Sequence, residues 1–109
     1  MSAAENLNPL HFLFDEMEET IMEKEYKTGL KYAMRELSEQ YRAEHQYTLE
    51  EMAEQLDISA KAYNNLKYEK NSFSASTLLT LLIHLEDEQI LGFVENVRTL
   101  RKKVWEQSN

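Results

Sequence analysis

The feature that most constrains this chain is its shortage of residues that interrupt helices. Only two glycines and one proline occur among its 109 residues. Because sheets need many turns, and turns draw heavily on glycine and proline, this composition favours long helices. We therefore predict an all-α fold in a single domain, residues 1–109, since the chain is too short for two independent hydrophobic cores.

The helical spacing of apolar residues divides the chain into six predicted helices. An added N-terminal helix is predicted over 9–27, with Asn8 as its N-cap and Pro9 at its first position. A second helix is predicted over 28–43, with Gly29 weakening the junction between the two. The other four are predicted to begin at Thr48, at Ser59, at Ser74 or Ser76, and near Asp87.

Two of these helices are expected to differ in how they meet the core. On the second helix, four charged residues are expected away from the buried face, as exposed ion pairs: Arg35, Glu36, Glu39 and Arg42. The fifth helix, from Ser74 or Ser76 to Leu85, is apolar on most sides. We therefore predict that it is the central buried helix.

Residues 48–68 meet the physical requirements of a helix-turn-helix, two short helices joined by a three-residue turn. Thr48 and Glu51 have the spacing of a capping box, which marks the start of the first helix. Ala53 is small where the two helices meet, and Ile58 is apolar in the turn. We predict that seven residues are buried together: Ala53, Leu56, Ile58, Leu66, Leu78, Leu82 and Leu85.

This segment, TLEEMAEQLDISAKAYNNLKYEKNSFSASTLLTLLIHL, resembles the Cro/C1-type helix-turn-helix family of phage-repressor-like domains. The matching positions are Thr48, Ala53, Leu56, Ile58, Ser59, Leu66, Thr77 and Leu78. Asp57 stands where the family usually has a glycine with positive φ, a conformation that Asp tolerates better than most residues. The resemblance covers about residues 28–95 and implies a repressor-like five-helix domain, to which the 9–27 helix is added.

The resemblance also implies a function, that of a sequence-specific DNA-binding regulator of transcription. The 59–68 helix would enter the major groove, where Asn64 and Asn65 can pair with adenine and Lys61 can reach guanine. Neighbouring polar side chains would contact the DNA backbone and fix the register. The full predicted contact set is Ser59, Ala60, Lys61, Asn64, Asn65, Lys67, Tyr68 and Lys70.

The distribution of charge keeps a second function open. The net charge is −8, with −9 in residues 1–58 and +1 in residues 59–109. An acidic half should repel phosphate, and Glu50 and Glu51 oppose DNA at a helix start even though they favour the helix dipole there. The alternative is a protein-interaction module, antitoxin-like or anti-repressor, whose protein partner meets the acidic N-terminal half.

A homodimer is expected, because one recognition helix covers only half of a palindromic DNA site. The last predicted helix, 87–106, repeats five apolar residues in a 3-4 pattern: Ile90, Phe93, Val97, Leu100 and Val104. Leu91, Val94 and Trp105 widen this stripe beyond what one intramolecular contact needs, so it is the preferred dimer surface. The other candidate surface is the N-terminal helix, with Leu10, Phe14, Met17 and Ile21. A third arrangement has the two surfaces cover each other within one chain.

Several other classes of protein are disfavoured by the sequence. There is no cysteine, which removes disulfides and thiolate metal sites. No apolar run reaches the roughly 20 residues of a membrane span, and the first residues lack a secretory signal, so we expect a cytoplasmic protein. His11, His45 and His84 lack metal-ligand spacing, and no phosphate loop or nucleophile motif occurs. We expect no enzyme, no cofactor and no metal.

Overall fold

The structure, a computed structural model, describes the backbone of residues 9–68 and 70–107 and the side chains of residues 21–68 and 70–106. Within these ranges the chain forms five α-helices and no β-strand, which confirms the predicted all-α class. The helices are α1 (Pro9–His45), α2 (Leu49–Gln55), α3 (Ala60–Lys67), α4 (Ala75–His84) and α5 (Asp87–Gln107). The predicted cap Asn8 and the side chains of Leu10, Phe14 and Met17 lie outside the described residues.

The prediction of two helices before residue 45 is wrong, because α1 runs without a break from Pro9 to His45. Gly29 lies inside this helix, where its lack of a side chain leaves room for α5. A Cβ atom placed on Gly29 would meet the Leu100 side chain of α5 at 2.7 Å. A glycine inside a helix costs about 1 kcal/mol relative to alanine, and here it permits close packing of α5 on α1.

The α2–α3 segment follows its local sequence signals closely. Thr48 caps α2 in a capping box, since its hydroxyl accepts from the Glu51 backbone N–H at 3.1 Å and the Glu51 carboxylate accepts from the Thr48 N–H at 3.0 Å. Asp57 has φ 60, the left-handed conformation anticipated at this position. Ser59 then caps α3 by accepting from the Ala62 N–H at 3.0 Å.

The core lies where α1, α2, α3 and the end of α4 meet. Its buried side chains are Leu37, Tyr41, Met52, Ala53, Leu56, Tyr63, Leu66, Leu81 and Leu85. Of the seven residues predicted to be buried together, Ala53, Leu56, Leu66 and Leu85 are confirmed. The other three, Ile58, Leu78 and Leu82, are half-buried, and both Ile58 and Leu82 pack against the core.

The prediction that the α4 segment is the central buried helix is wrong. Only Thr77 and Leu81 of α4 are buried, whereas Leu79 and Ile83 are 61% and 79% exposed. The reason is geometric, because the core reaches this helix from one side only and leaves its other apolar side chains at the surface. Its predicted start is confirmed, since Ser74 accepts from the Thr77 N–H at 3.2 Å.

The last helix, α5, lies along α1. Trp105 meets Tyr26 edge-on with ring centroids 5.9 Å apart, and the Arg101 guanidinium lies 4.7 Å from the Trp105 centroid. Val104 is only 5% exposed within the single chain. Among the helices that the structure describes, none has the length and apolar character needed to cross a membrane.

Candidate nucleic-acid interface

A polar network fixes α3, the candidate recognition helix, to α1. The Tyr63 hydroxyl of α3 donates to Glu39 Oε2 at 2.5 Å. The same hydroxyl lies 3.0 Å from Ser38 Oγ, which can donate to it. Arg42 completes the network with two parallel hydrogen bonds to the Glu39 carboxylate, at 2.9 Å and 3.0 Å. These parallel bonds hold the Glu39 carboxylate in one position on α1, where it accepts from the Tyr63 hydroxyl of α3.

The network is charge-assisted at neutral pH. Burial raises the pKa of Glu39, but the hydrogen bonds from Arg42 and Tyr63 outweigh burial and bring the pKa below its ordinary value. Burial, together with the hydrogen bond to Glu39, raises the pKa of Tyr63 well above its ordinary value. Glu39 is therefore ionised and Tyr63 is neutral, which is the pairing that gives the strong hydrogen bond between them.

Three further contacts extend this network along the chain. Arg42 Nη1 donates to the Tyr47 carbonyl at 3.0 Å, which ties α1 to the segment leading into α2. Lys67 Nζ, at the end of α3, lies 3.9 Å from Glu39 Oε1. The same ammonium group lies 5.6 Å from the centroid of the Tyr68 ring. Both ends of the α2–α3 segment therefore contact the same stretch of α1.

The predicted DNA contacts fall together on the outer side of α3 and at its two ends. Ser59, Ala60, Lys61 and Lys70 are exposed, Tyr68 is 62% exposed, and Asn64, Asn65 and Lys67 are half-buried. The Asn65 carbonyl accepts from the Lys70 N–H at 2.8 Å and so holds the following segment close to the helix end. Lys67 differs from the other predicted contacts because its ammonium group lies near the Glu39 carboxylate, which would compete with a DNA phosphate for it.

Exposed carboxylates occur on α2 and in the turn that leads into α3. Glu50 and Glu54 of α2 and Asp57 of the turn are all exposed. Asp57 lies two residues before Ser59, the first of the predicted DNA contacts. Phosphates approaching the start of α3 would meet these negative charges, whereas its far end carries Lys67 and Lys70. The electrostatic balance along α3 therefore changes from its first residue to its last.

The predicted dimer stripe lies on the α1-facing side of α5. Ile90 and Phe93 pack against the core, and Leu100 lies against Gly29 of α1. Within one chain, then, α1 covers much of this stripe. Leu91 is 62% exposed and Val94 36% exposed, and both lie on the outward side of α5. Self-association through α5 stays a prediction, and Ile21, from the alternative surface, is 53% exposed.

Sequence reasoning missed the role of the Glu39 group. It assigned Glu39 and Arg42 to exposed ion pairs. The apolar pattern of α1 gives no signal for another role, because Glu39 lies about 200° around the helix from Leu37, away from the face that Leu37 shares with Tyr41. Nothing in the sequence states that the partner of Glu39 is Tyr63, 24 residues further along.

The two described histidines take part in scaffold contacts. The His45 ring stacks on Tyr47 with centroids 5.2 Å apart, and His84 Nε2 lies 3.0 Å from the Gln55 carbonyl. Among the side chains that the structure describes, no three His, Asp or Glu residues come together as a metal ion would need.

No protein-family model, no curated protein and no solved structure matches this chain.

Proposed function

We propose that this protein is a sequence-specific DNA-binding regulator of transcription, built on a repressor-like helix-turn-helix. In this proposal α2 and α3 are the two helices of the motif, and α3 enters the major groove. The observation that carries the proposal is that the two sides of α3 differ. Its inner side is anchored by Tyr63 and Leu66, and its outer side offers a row of polar side chains.

The proposed roles follow from donor and acceptor chemistry. Asn64 and Asn65 can each give and accept a hydrogen bond with adenine, and Lys61 can donate to guanine. Ser59, Ala60, Lys67, Tyr68 and Lys70 would meet sugar and phosphate and set the register. The rigid link from Tyr63 to Glu39 supports this assignment, because base reading requires a helix held in a fixed orientation.

We propose that the active form is a homodimer acting in the cytoplasm, without a cofactor. Two copies of α3 placed one DNA turn apart, about 34 Å, would read a palindromic site. The outward side of α5, with Leu91 and Val94, offers apolar surface for such a pairing.

A protein-interaction module is the second candidate, and the exposed carboxylates Glu50, Glu54 and Asp57 favour it. Negative charge beside the start of α3 suits a basic protein surface better than phosphate. In this alternative the α2–α3 segment is retained as a scaffold, and its outer side meets a polypeptide.

The test is selection of binding sites from DNA duplexes with a randomised central segment, using the full chain at about 0.1 M salt. We expect enrichment of one sequence, and a palindromic sequence if the protein acts as a dimer. Light scattering of the free protein gives its assembly state in the same conditions. Failure to enrich any sequence, at low salt as well, would reject the DNA-binding proposal and leave the protein-interaction module.

A further inference from the structure

Three lysines form a row on α1 beyond the region that holds α3. Lys24, Lys31 and Ser38 are each seven residues apart, two helical turns, and therefore lie in line on one face. Lys27 lies between the first two on the same face. Lys24 and Lys27 are exposed and Lys31 is half-buried. We refer to Lys24, Lys27 and Lys31 as the lysine row, which spans roughly 10 Å at 1.5 Å per residue.

The lysine row adjoins the segment that follows α3. Its three side chains line one surface hollow together with Met34 and Ser72. Ser72 lies two residues after the exposed Lys70 and also lines a second hollow with Leu66 of α3. Ser38 contacts α3 from one face of α1. Toward the N-terminus, the same face of α1 carries the lysine row. The two hollows meet at Ser72, so the lysine row and the edge of α3 formed by Ala62 and Leu66 border the same exposed segment.

The charge of the lysine row lacks a structural counterpart. Within the described residues, no carboxylate lies within ion-pair distance of the three ammonium groups. Lys27 and Lys31 are four residues apart, a spacing at which like charges repel each other and destabilise a helix. Residues 23–36 hold four basic and three acidic side chains, a net charge of +1 in a chain whose net charge is −8. The positive charge of the row is local to its own face of α1.

We propose that the lysine row binds the phosphate backbone of double-stranded DNA beside the bases that α3 reads. The proposal rests on the proposed DNA-binding function and adds a contact surface outside the predicted set, which was confined to α3 and its flanks. Ammonium groups bind phosphate through charge and release condensed counterions when they do so, so the row would contribute affinity without sequence preference. It would also offset the carboxylates at the opposite end of α3.

The test compares two triple variants with equal loss of charge. One is Lys24→Gln, Lys27→Gln, Lys31→Gln. The matched control, Arg98→Gln, Lys102→Gln, Lys103→Gln, changes three exposed positions of α5. The Kd is measured across salt concentrations on the duplex selected by the parent protein and on a random duplex of equal length.

For the lysine-row variant we expect the slope of log K against log salt to become shallower by about 2–3. At about 0.1 M salt its affinity should fall roughly tenfold or more, by the same factor on both duplexes. The control variant should change the slope by less than about 1, because its three charges lie on α5 and outside the proposed contact surface. A third variant with arginine at all three row positions keeps the charge and should keep the parent slope.

The outcomes distinguish the two proposals. A lysine-row variant that behaves like the control would overturn the proposed binding of phosphate by the lysine row and would leave the DNA-binding proposal intact. A loss confined to the selected duplex would also overturn it, because a backbone contact cannot depend on sequence in that way. Failure of the parent protein to bind any duplex would reject both. Circular dichroism of each variant establishes that the helices remain folded.

Discussion

The two short helices α3 and α4 make opposite use of their composition. α3 has the sequence AKAYNNLK and is half polar, yet Tyr63 is 1% exposed and Leu66 is 7% exposed. α4 has the sequence ASTLLTLLIH and is mostly apolar, yet Ile83 is 79% exposed. α3 is held to α1 by the buried hydrogen bonds of Tyr63, whereas α4 is held by one buried side and by an exposed contact of His84 Nε2 with the Gln55 carbonyl.

The contrast shows that the kind of contact that holds a helix to its neighbours limits its possible function more than its hydrophobicity does. Hydrophobic contact is non-directional, so the burial of Leu81 holds α4 in place without specifying which atoms surround it. The bond from Tyr63 to Glu39 requires a particular geometry and so fixes the angle of α3. A helix that reads bases needs the second kind of attachment.

The largest expected effect separates the two sides of α4. Leu81→Ala should lower the free energy of unfolding by about 2–5 kcal/mol, because it empties a fully buried position. Ile83→Ala, two residues further on, should change it by less than about 0.5 kcal/mol, because that side chain is already in water. Urea unfolding of both variants measures the difference, and equal losses would mean that α4 is buried on both sides.

A smaller effect, with a pH signature, is expected for the attachment of α3. Glu39→Gln should cost about 1–3 kcal/mol at neutral pH, since it weakens hydrogen bonds to a charged group. The folded pKa of Glu39 is depressed, so its contribution is present above the ordinary pKa of about 4.3 and is lost as the pH falls through the folded value. The difference in the free energy of unfolding between the parent protein and Glu39→Gln should therefore become smaller below about pH 4.

The control for this prediction is Glu36→Gln on the same helix. Glu36 pairs with Arg35 at 2.7 Å, but its side chain is 50% exposed. Removing a surface pair should cost less than about 1 kcal/mol. Stability curves for both variants between pH 3 and pH 8, relative to the parent protein, would refute the charge-assisted network if the difference for Glu39→Gln stayed constant with pH.

The smallest expected effect concerns the two serine caps. Ser59→Ala and Ser74→Ala should each cost about 1 kcal/mol, because each hydroxyl accepts a backbone N–H at the start of its helix. Ser59→Asp keeps a capping oxygen but adds negative charge where phosphate is proposed to bind. That variant should be as stable as the parent and bind DNA more weakly, and unchanged DNA affinity would remove Ser59 from the interface.

The features that the sequence predicted correctly are local. The Thr48–Glu51 capping box, the caps at Ser59 and Ser74 and the left-handed Asp57 each depend on residues within four positions of one another. Local chemistry is sufficient to specify them, and they define the α2–α3 segment on which the functional argument depends.

The features that it missed depend on residues far apart in the chain. Gly29 looked like a helix break because its partner, Leu100, is 71 positions away. Glu39 looked like a surface residue because Tyr63 reaches it from another helix. α4 looked central because its composition does not reveal that only one side meets the core. In each case the missing information was which surface of one helix meets which surface of another.

The proposed reading of bases by the outer side of α3 is tested by the affinity of Asn64→Ala and Lys61→Ala for the selected duplex. Each variant should bind about 1–3 kcal/mol more weakly, roughly 5- to 150-fold, with stability close to that of the parent. Asn96→Ala, at an exposed position on α5, is the matched control and should bind like the parent. Parent-like affinity in both α3 variants would contradict the account.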